Sequence, residues 1–131
     1  YYTSRKNVAD IFYEDVSSWL YTHDVAVSER VRLTGKSGYS HHIDFLFPEI
    51  KKRKVPERAL QVVNNPQKDS FARVLMIKND LQMRNLDVFM IINDQRGRGN
   101  MVSDLVNASH EYDIEPILWS KRDEMSHALF A

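Results

Sequence analysis

The sequence predicts a single α/β domain built on a mixed five-stranded sheet that is flanked by helices. Three observations lead to this prediction. Apolar residues recur at helical spacing in four segments and form short runs in five others. Three strand-like runs follow one another directly, which is typical of antiparallel pairing, and the later alternation of strand and helix indicates a parallel crossover. The predicted order of elements is α-β-β-β-α-β-α-β-α.

The first half of the chain contains one predicted helix and three predicted strands. The first strand alternates apolar and polar residues, with Glu29 as the discordant position on its apolar side. Gly35 and Gly38 then bracket a short turn, and Pro48 ends the second strand. The predicted bounds are Lys6–Tyr21 for the helix and Val27–Thr34, His42–Phe47 and Arg58–Val63 for the strands.

The second half alternates helix and strand. The most apolar run, LDVFMII, predicts a central strand that is parallel to a neighbour. Asn100 is a candidate helix cap after a glycine- and arginine-rich loop, and Pro116 indicates that the last strand lies at a sheet edge. The predicted bounds are Lys68–Arg84, Leu86–Ile92, Met101–Tyr112, Ile114–Trp119 and Lys121–Phe130.

Composition excludes several classes of protein and site. A length of 131 residues fits one domain, and the formal net charge is zero, so overall charge favours no polyanionic partner. The absence of cysteine excludes disulfides, thiolate zinc sites and a cysteine nucleophile. No apolar run reaches the length of a membrane helix, so we expect a cytoplasmic protein without membrane contact. Because the chain begins at Tyr1 rather than methionine, we expect a fragment of a longer chain.

Asp44 raises a question about chemistry, because it places a carboxylate between Ile43 and Phe45 in an apolar strand. A charge there is costly unless something pairs with it. One interpretation makes Asp44 a metal ligand or the remnant of one. The other makes it structural, paired with Arg58 or held by backbone amides. The neighbouring His41 and His42 point to opposite sides of a strand, which disfavours their binding one ion together.

The order α-β-β-β-α-β over residues 5 to 93, with Asp44 in the second strand, resembles the PD-(D/E)XK, or restriction-endonuclease-like, nuclease superfamily. The resemblance implies a Mg²⁺ site with an acid on the second strand, followed on the third strand by an acid or glutamine, a spacer and a lysine. Gln61 matches the acid-or-glutamine position, but Val63 occupies the position of the lysine. In an active enzyme, Lys36 or Lys68 would replace that lysine, and Glu14 or Asp15 would add an acid from the first helix.

The incomplete motif predicts a nuclease-like domain with a degenerate site, which acts by binding DNA or a protein partner. Two basic segments are candidate phosphate contacts, and each could equally be a solvated loop. They are Lys51, Lys52, Arg53 and Lys54, and the pair Arg96 and Arg98. One alternative is a divergent Mg²⁺-dependent DNA phosphodiesterase, with Asp44 as its metal ligand and a migrated lysine. The other is a purely protein-binding module, such as a phage-encoded inhibitor.

Three further segments resemble a more specific family. SGYSHHIDFLFP, VNNP and IEPILWS are similar to an uncharacterised bacterial family associated with phages and prophages. In that family the domain follows another small domain. The resemblance therefore implies a phage or mobile-element setting and an upstream domain as a possible partner, but no established activity.

Overall fold

The computed structural model describes residues 8–96 and 100–130, which form an α/β fold around a five-stranded mixed sheet. The predicted order of helices and strands is confirmed. Among the described residues, no helix combines the length and the apolar content needed to cross a bilayer. In chain order the elements are α1 (Val8–Tyr21), β1 (Ser28–Thr34), β2 (Ser40–Phe47), β3 (Glu57–Val63), α2 (Lys68–Asp80), β4 (Leu86–Ile92), α3 (Met101–Glu111), β5 (Glu115–Leu118) and α4 (Arg122–Met125).

The strands lie in the sheet in the order in which they occur in the chain. β1, β2 and β3 pair antiparallel, whereas β3, β4 and β5 are parallel. The prediction of a parallel strand is confirmed, because β4 has a parallel neighbour on each side, but the middle strand of the five is β3. Pro116 lies in β5, which is an edge strand as predicted, so its missing N–H disrupts no second ladder.

Each face of the sheet is covered by helices. On one face, Phe12, Val16 and Leu20 of α1 pack with Phe45 and residues from the C-terminal segment. On the other face, α2 and α3 contribute Val74, Ile77 and Leu105 to a second core with Ile43. Both faces of β3 and β4 are therefore buried, which explains the continuous apolar run in β4.

The second helix is shorter than predicted, because it ends at Asp80 rather than at Arg84. Its last residue is tied to the turn between β1 and β2. The Asp80 carboxylate accepts hydrogen bonds from the Ser37 N–H and hydroxyl at 2.8 and 2.6 Å, and the Asp80 carbonyl accepts from the Lys36 N–H at 3.0 Å. A Cβ at Gly35 would collide with the same carboxylate, so the turn requires glycine there.

The C-terminal helix is also shorter than predicted, ending at Met125 instead of Phe130. The residues that follow fold as turns and are held against the sheet by Arg58. Its buried guanidinium donates to the carbonyl of Leu129 at 2.6 Å and to that of Pro48 at 2.7 Å.

Candidate functional site

The side chains of β1 and β2 change faces at one pair of facing residues, Arg30 and Asp44. The register pairs Glu29 with Phe45 and Val31 with Ile43, so Arg30 lies opposite Asp44. Arg30 has a left-handed backbone with φ of +54°. Ile43 packs on the side of α2 and Phe45 on the side of α1, although both have the same parity in the strand. The local irregularity is therefore what brings Asp44 out of the regular alternation.

The same irregularity explains Glu29, the discordant residue of the first strand. Its carboxylate lies on the α1 side and accepts hydrogen bonds from the Tyr21 hydroxyl at 2.7 Å and the Tyr13 hydroxyl at 3.0 Å. The Ser17 hydroxyl adds a longer contact at 3.4 Å. These donors lower the pKa of Glu29, the Tyr21 hydroxyl most strongly. Glu29 therefore links β1 to α1 through hydrogen bonds, which explains why a charged residue stands among the apolar residues of β1.

Gln61 joins β2 and β3 where their ladder stops. The regular pairing of these strands extends from Phe47 only to Phe45, which faces Leu60. Beyond it, the Gln61 side-chain oxygen accepts from the Asp44 N–H at 2.9 Å, and its nitrogen donates to the His42 carbonyl at 3.1 Å. The buried amide therefore replaces backbone hydrogen bonds between two diverging strands.

Asp44 is partly buried beside this bridge, with its side-chain oxygen accepting from the Val62 N–H at 2.8 Å. Burial raises the pKa of Asp44. The Val62 N–H and the positive charges of Arg30 and Arg73 oppose that rise in pKa without cancelling it. Asp44 thus accepts one backbone amide, which is compatible with the structural interpretation and does not exclude the functional one. The pairing with Arg58 is wrong, because that guanidinium binds carbonyls elsewhere.

Two cavities meet at the notch where β2 and β3 diverge. We call these two cavities together the sheet-end cleft. The first, of about 350 Å³, lies on the α1 face and is lined by Asp10, Tyr13 and Arg30. The second, of about 630 Å³, lies on the α2 face and includes Ser70 and Arg73. Four residues line both cavities, two from β2 and two from β3 or its end: His42, Asp44, Val62 and Asn64.

Arg30 and Arg73 supply the positive charge of the cleft. Arg30 is exposed and its guanidinium lies 4.6 Å from the centre of the Tyr13 ring. Arg73 is exposed on α2. Both charges favour ionised Asp44, and they do so from opposite faces of the sheet.

The predicted site residues are only partly brought together. Asp44 and Gln61 are neighbours, but both polar ends of Gln61 are used in joining the strands. Asp10 of α1 lines the first cavity, whereas Glu14, one turn later, does not. Lys36 and Lys68 are exposed and line neither cavity.

The lysine position of the nuclease motif is filled by a core residue. Val63, which stands where the lysine would be, is buried on the α2 face. Asp15 is exposed on α1 and lines neither cavity. Within residues 8–96 and 100–130, no group of three or more His, Asp or Glu side chains could hold a metal ion. Asp44 and Asp10 are therefore the acids that a cation in the first cavity would meet.

The basic segments lie at different ends of the sheet. Lys51–Arg53 form a 3-10 turn after β2, and Lys54 follows with a left-handed backbone. Because the rest of β2 separates Asp44 from this loop, the loop lies roughly 13 Å or more from the cleft. Arg96 follows β4 at the cleft end and lines a third cavity. Arg98 lies outside the described residues.

Several residues of the cleft were not among the sequence-based candidates. Arg73 is one of several exposed residues of an amphipathic helix, and nothing in its spacing marks it. Asp10 and Tyr13 belong to the helical pattern of α1, but their orientation toward Asp44 depends on tertiary packing. Arg30 carried one usable signal, because it follows the discordant Glu29, where the side chains of the strand change faces of the sheet.

Comparison with known proteins adds a family but no activity. A search of curated proteins finds none that matches the chain. Residues 35–122 match a domain of unknown function, DUF1829. The match includes Asp44, Gln61 and Arg73, whereas α1 and all of β1, with Arg30, lie before it. Since it covers more than half of the sequence, the chain belongs to the DUF1829 family.

Proposed function

We propose that this domain binds DNA through the sheet-end cleft and does not cleave it, as a nuclease-like domain with a degenerate site. The observation that carries the proposal is the placement of Arg30 and Arg73 on opposite sides of Asp44 at the notch between β2 and β3. Arginine is suited to phosphate because its planar guanidinium offers several donors at once. Such a role fits a cytoplasmic protein in a phage or mobile-element setting.

The composition of the cleft argues against metal-dependent cleavage. A phosphodiesterase of the proposed ancestry needs a carboxylate pair and a cation that stabilises developing charge. Here both the oxygen and the nitrogen of the Gln61 side chain are hydrogen-bonded to the β2 backbone. The position of the catalytic lysine is taken by Val63, which is buried. The arginines that remain can hold a phosphate, but a guanidinium accepts no proton from an attacking water, so cleavage would depend on Asp10 and Asp44 alone.

Asp44 works against phosphate binding while it is ionised. Its carboxylate lies between the two arginines and would repel a phosphate. Because burial raises the pKa of Asp44, protonation in the complex costs less than it would for an exposed aspartate. DNA binding should therefore strengthen as pH falls toward the pKa of Asp44.

The test is fluorescence anisotropy with labelled DNA, single-stranded and duplex, for wild type and the double variant Arg30→Gln/Arg73→Gln. We expect the double variant to lose at least tenfold in affinity at low salt. The salt slope should also fall by about 0.7–0.9 for each phosphate that is no longer neutralised. The matched control is Lys51→Gln/Lys52→Gln, which removes two charges from the distant basic loop.

Two outcomes overturn the cleft as the binding surface. One is that neither DNA form binds at 50 mM salt. The other is that the loop control loses affinity while the double variant binds normally, which would move the contact to Lys51–Lys54. Circular dichroism of each variant excludes unfolding, which we do not expect because all four side chains are exposed.

A second candidate function is Mg²⁺-dependent phosphodiester cleavage, and one observation favours it. Asp10 and Asp44 line the same cavity, and Mg²⁺ sites commonly use one or two carboxylates with several waters. Asp44→Asn separates the two functions. Loss of a repelling charge should tighten DNA binding if the cleft only binds, whereas cleavage in Mg²⁺ that Asp44→Asn abolishes would make the domain an enzyme.

A further inference from the structure

A third cavity extends the sheet-end cleft toward Arg96. It measures about 530 Å³ and is lined by Arg96, Asn65 and Met101, among others. Asn65 also lines the second cavity, where Arg73 lies. The second and third cavities thus share Asn65 as a lining residue, and each of the three cavities has one arginine: Arg30, then Arg73, then Arg96.

The three arginines are spread across the sheet. Arg30 belongs to β1 and Arg96 follows β4, so three inter-strand intervals separate them in the strand order. At about 4.8 Å per interval, the lateral span is roughly 14 Å. Arg73 lies between them on α2. The spacing suits a ligand that carries several phosphates in a row rather than one isolated phosphate.

The path between the arginines passes from one face of the sheet to the other. Arg30 lines the cavity under α1, while Arg73 lines the cavity under α2. A ligand that touches both must pass over the notch, whose walls are the ends of two neighbouring strands. A single flexible strand can follow this turn. A duplex cannot, because it carries its two backbones on a stiff cylinder with a major groove of about 12 Å.

Amide side chains lie along the same path. Asn64 lines the first two cavities and accepts a hydrogen bond from the Asn93 side-chain nitrogen at 3.0 Å. Asn65 is exposed and lines the second and third cavities. Amides of this kind can bond the base edges that a single strand exposes and a duplex hides.

We propose that Arg30, Arg73 and Arg96 hold successive phosphates of one single strand of nucleic acid, which crosses the notch at the end of the sheet. This inference rests on the proposed function and specifies its ligand. Duplex DNA would meet at most two of the three arginines without bending.

The experiment is a competition between a labelled 12-nucleotide single strand and the blunt duplex of the same sequence, using the chain of residues 1–131. We expect the single strand to bind at least tenfold more tightly. Its affinity should fall with salt with a slope near −2, because each of three phosphate contacts contributes about 0.7. Arg96→Gln should reduce that slope by about 0.7, and Lys52→Gln, in the distant loop, should leave it unchanged.

The outcomes separate this inference from the proposed function. Duplex that binds as tightly as the single strand overturns the single-strand inference and leaves DNA binding in the cleft intact. An unchanged slope for Arg96→Gln overturns the three-arginine path in the same way. Failure of both DNA forms to bind removes the proposed function itself, and the inference with it.

Discussion

The bridge made by Gln61 offers the sharpest test of the site. Replacing Gln61 with leucine keeps the volume but removes both polar groups. The Asp44 N–H and the His42 carbonyl then lose their side-chain partners at the point where the β2–β3 ladder has stopped. Two missing hydrogen bonds at about 1 kcal/mol each, plus the cost of leaving partly buried groups unpaired, give a destabilisation of about 2–4 kcal/mol.

Gln61→Glu distinguishes the structural bridge from a former metal site. Glutamate can still accept from the Asp44 N–H, but when ionised it cannot donate to the His42 carbonyl and would face it with negative charge. If Gln61 is a bridge, Gln61→Glu is destabilised to the same extent with and without MgCl₂. If the position is that of a metal ligand, Mg²⁺ restores the stability of Gln61→Glu.

The assay is urea unfolding followed by far-ultraviolet circular dichroism, with Gln82→Leu as control because Gln82 is exposed on the turn after α2. Gln82→Leu should change the free energy of unfolding by less than about 0.5 kcal/mol. A Gln61→Leu protein within that range would refute the assignment of Gln61 as the link between β2 and β3.

Three other variants test the assigned roles of charged groups. Asp80 has its pKa lowered from 3.8 to about 2, chiefly by the Ser37 hydroxyl, so its contribution to stability is present above pH 4 and is lost as pH falls toward 2. Asp80→Asn should reduce this acid sensitivity in urea unfolding between pH 2 and 5. Arg58→Met should destabilise the fold by about 3–5 kcal/mol and speed amide exchange around Leu129, because two strong hydrogen bonds to carbonyls are removed. Asp44→Asn should be at least as stable as wild type at pH 7. Burial raises the pKa of Asp44, so ionisation of this group makes the wild type less stable as pH rises from 3.8 through the pKa of the folded state.

The first two variants have matched controls, and each of the three has a result that would contradict the assigned role. Asp69 is exposed in the first turn of α2, so Asp69→Asn should show the same dependence of unfolding free energy on pH as wild type. If Asp80→Asn also shows the wild-type dependence, Asp80 is not the group whose titration destabilises the fold in acid. Arg53→Met is the exposed counterpart of Arg58→Met, and equal stability of the two would contradict the anchoring role of Arg58. A strongly destabilised Asp44→Asn would mean that the charge itself holds the strands together.

The elements were predictable from local pattern, but the site was only half predictable. Apolar periodicity located the strands because each has a buried face, and LDVFMII identified a parallel strand inside the sheet. The end of α2 was missed, because Asp80 is captured by Ser37, which is 43 residues away in the chain. Asp44 stood out as a charge in an apolar run. Its proximity to Arg73 depends on how α2 packs over the notch, which no spacing in the sequence specifies.

Two aspartates, Asp44 and Asp80, show by their contrast why Asp44 is the better candidate for function. Asp80 accepts two hydrogen bonds from Ser37 and lies 2.5 Å from the His41 ring nitrogen, and these partners lower its pKa. That is what a structural carboxylate requires. Asp44 accepts from the Val62 N–H, yet its pKa is raised, because this hydrogen bond does not offset burial. A raised pKa means that the fold bears a cost for this charge. The destabilising charge of Asp44 lies where the two cavities and the two arginines meet. Ionisable groups with shifted pKa values of this kind are concentrated at functional sites.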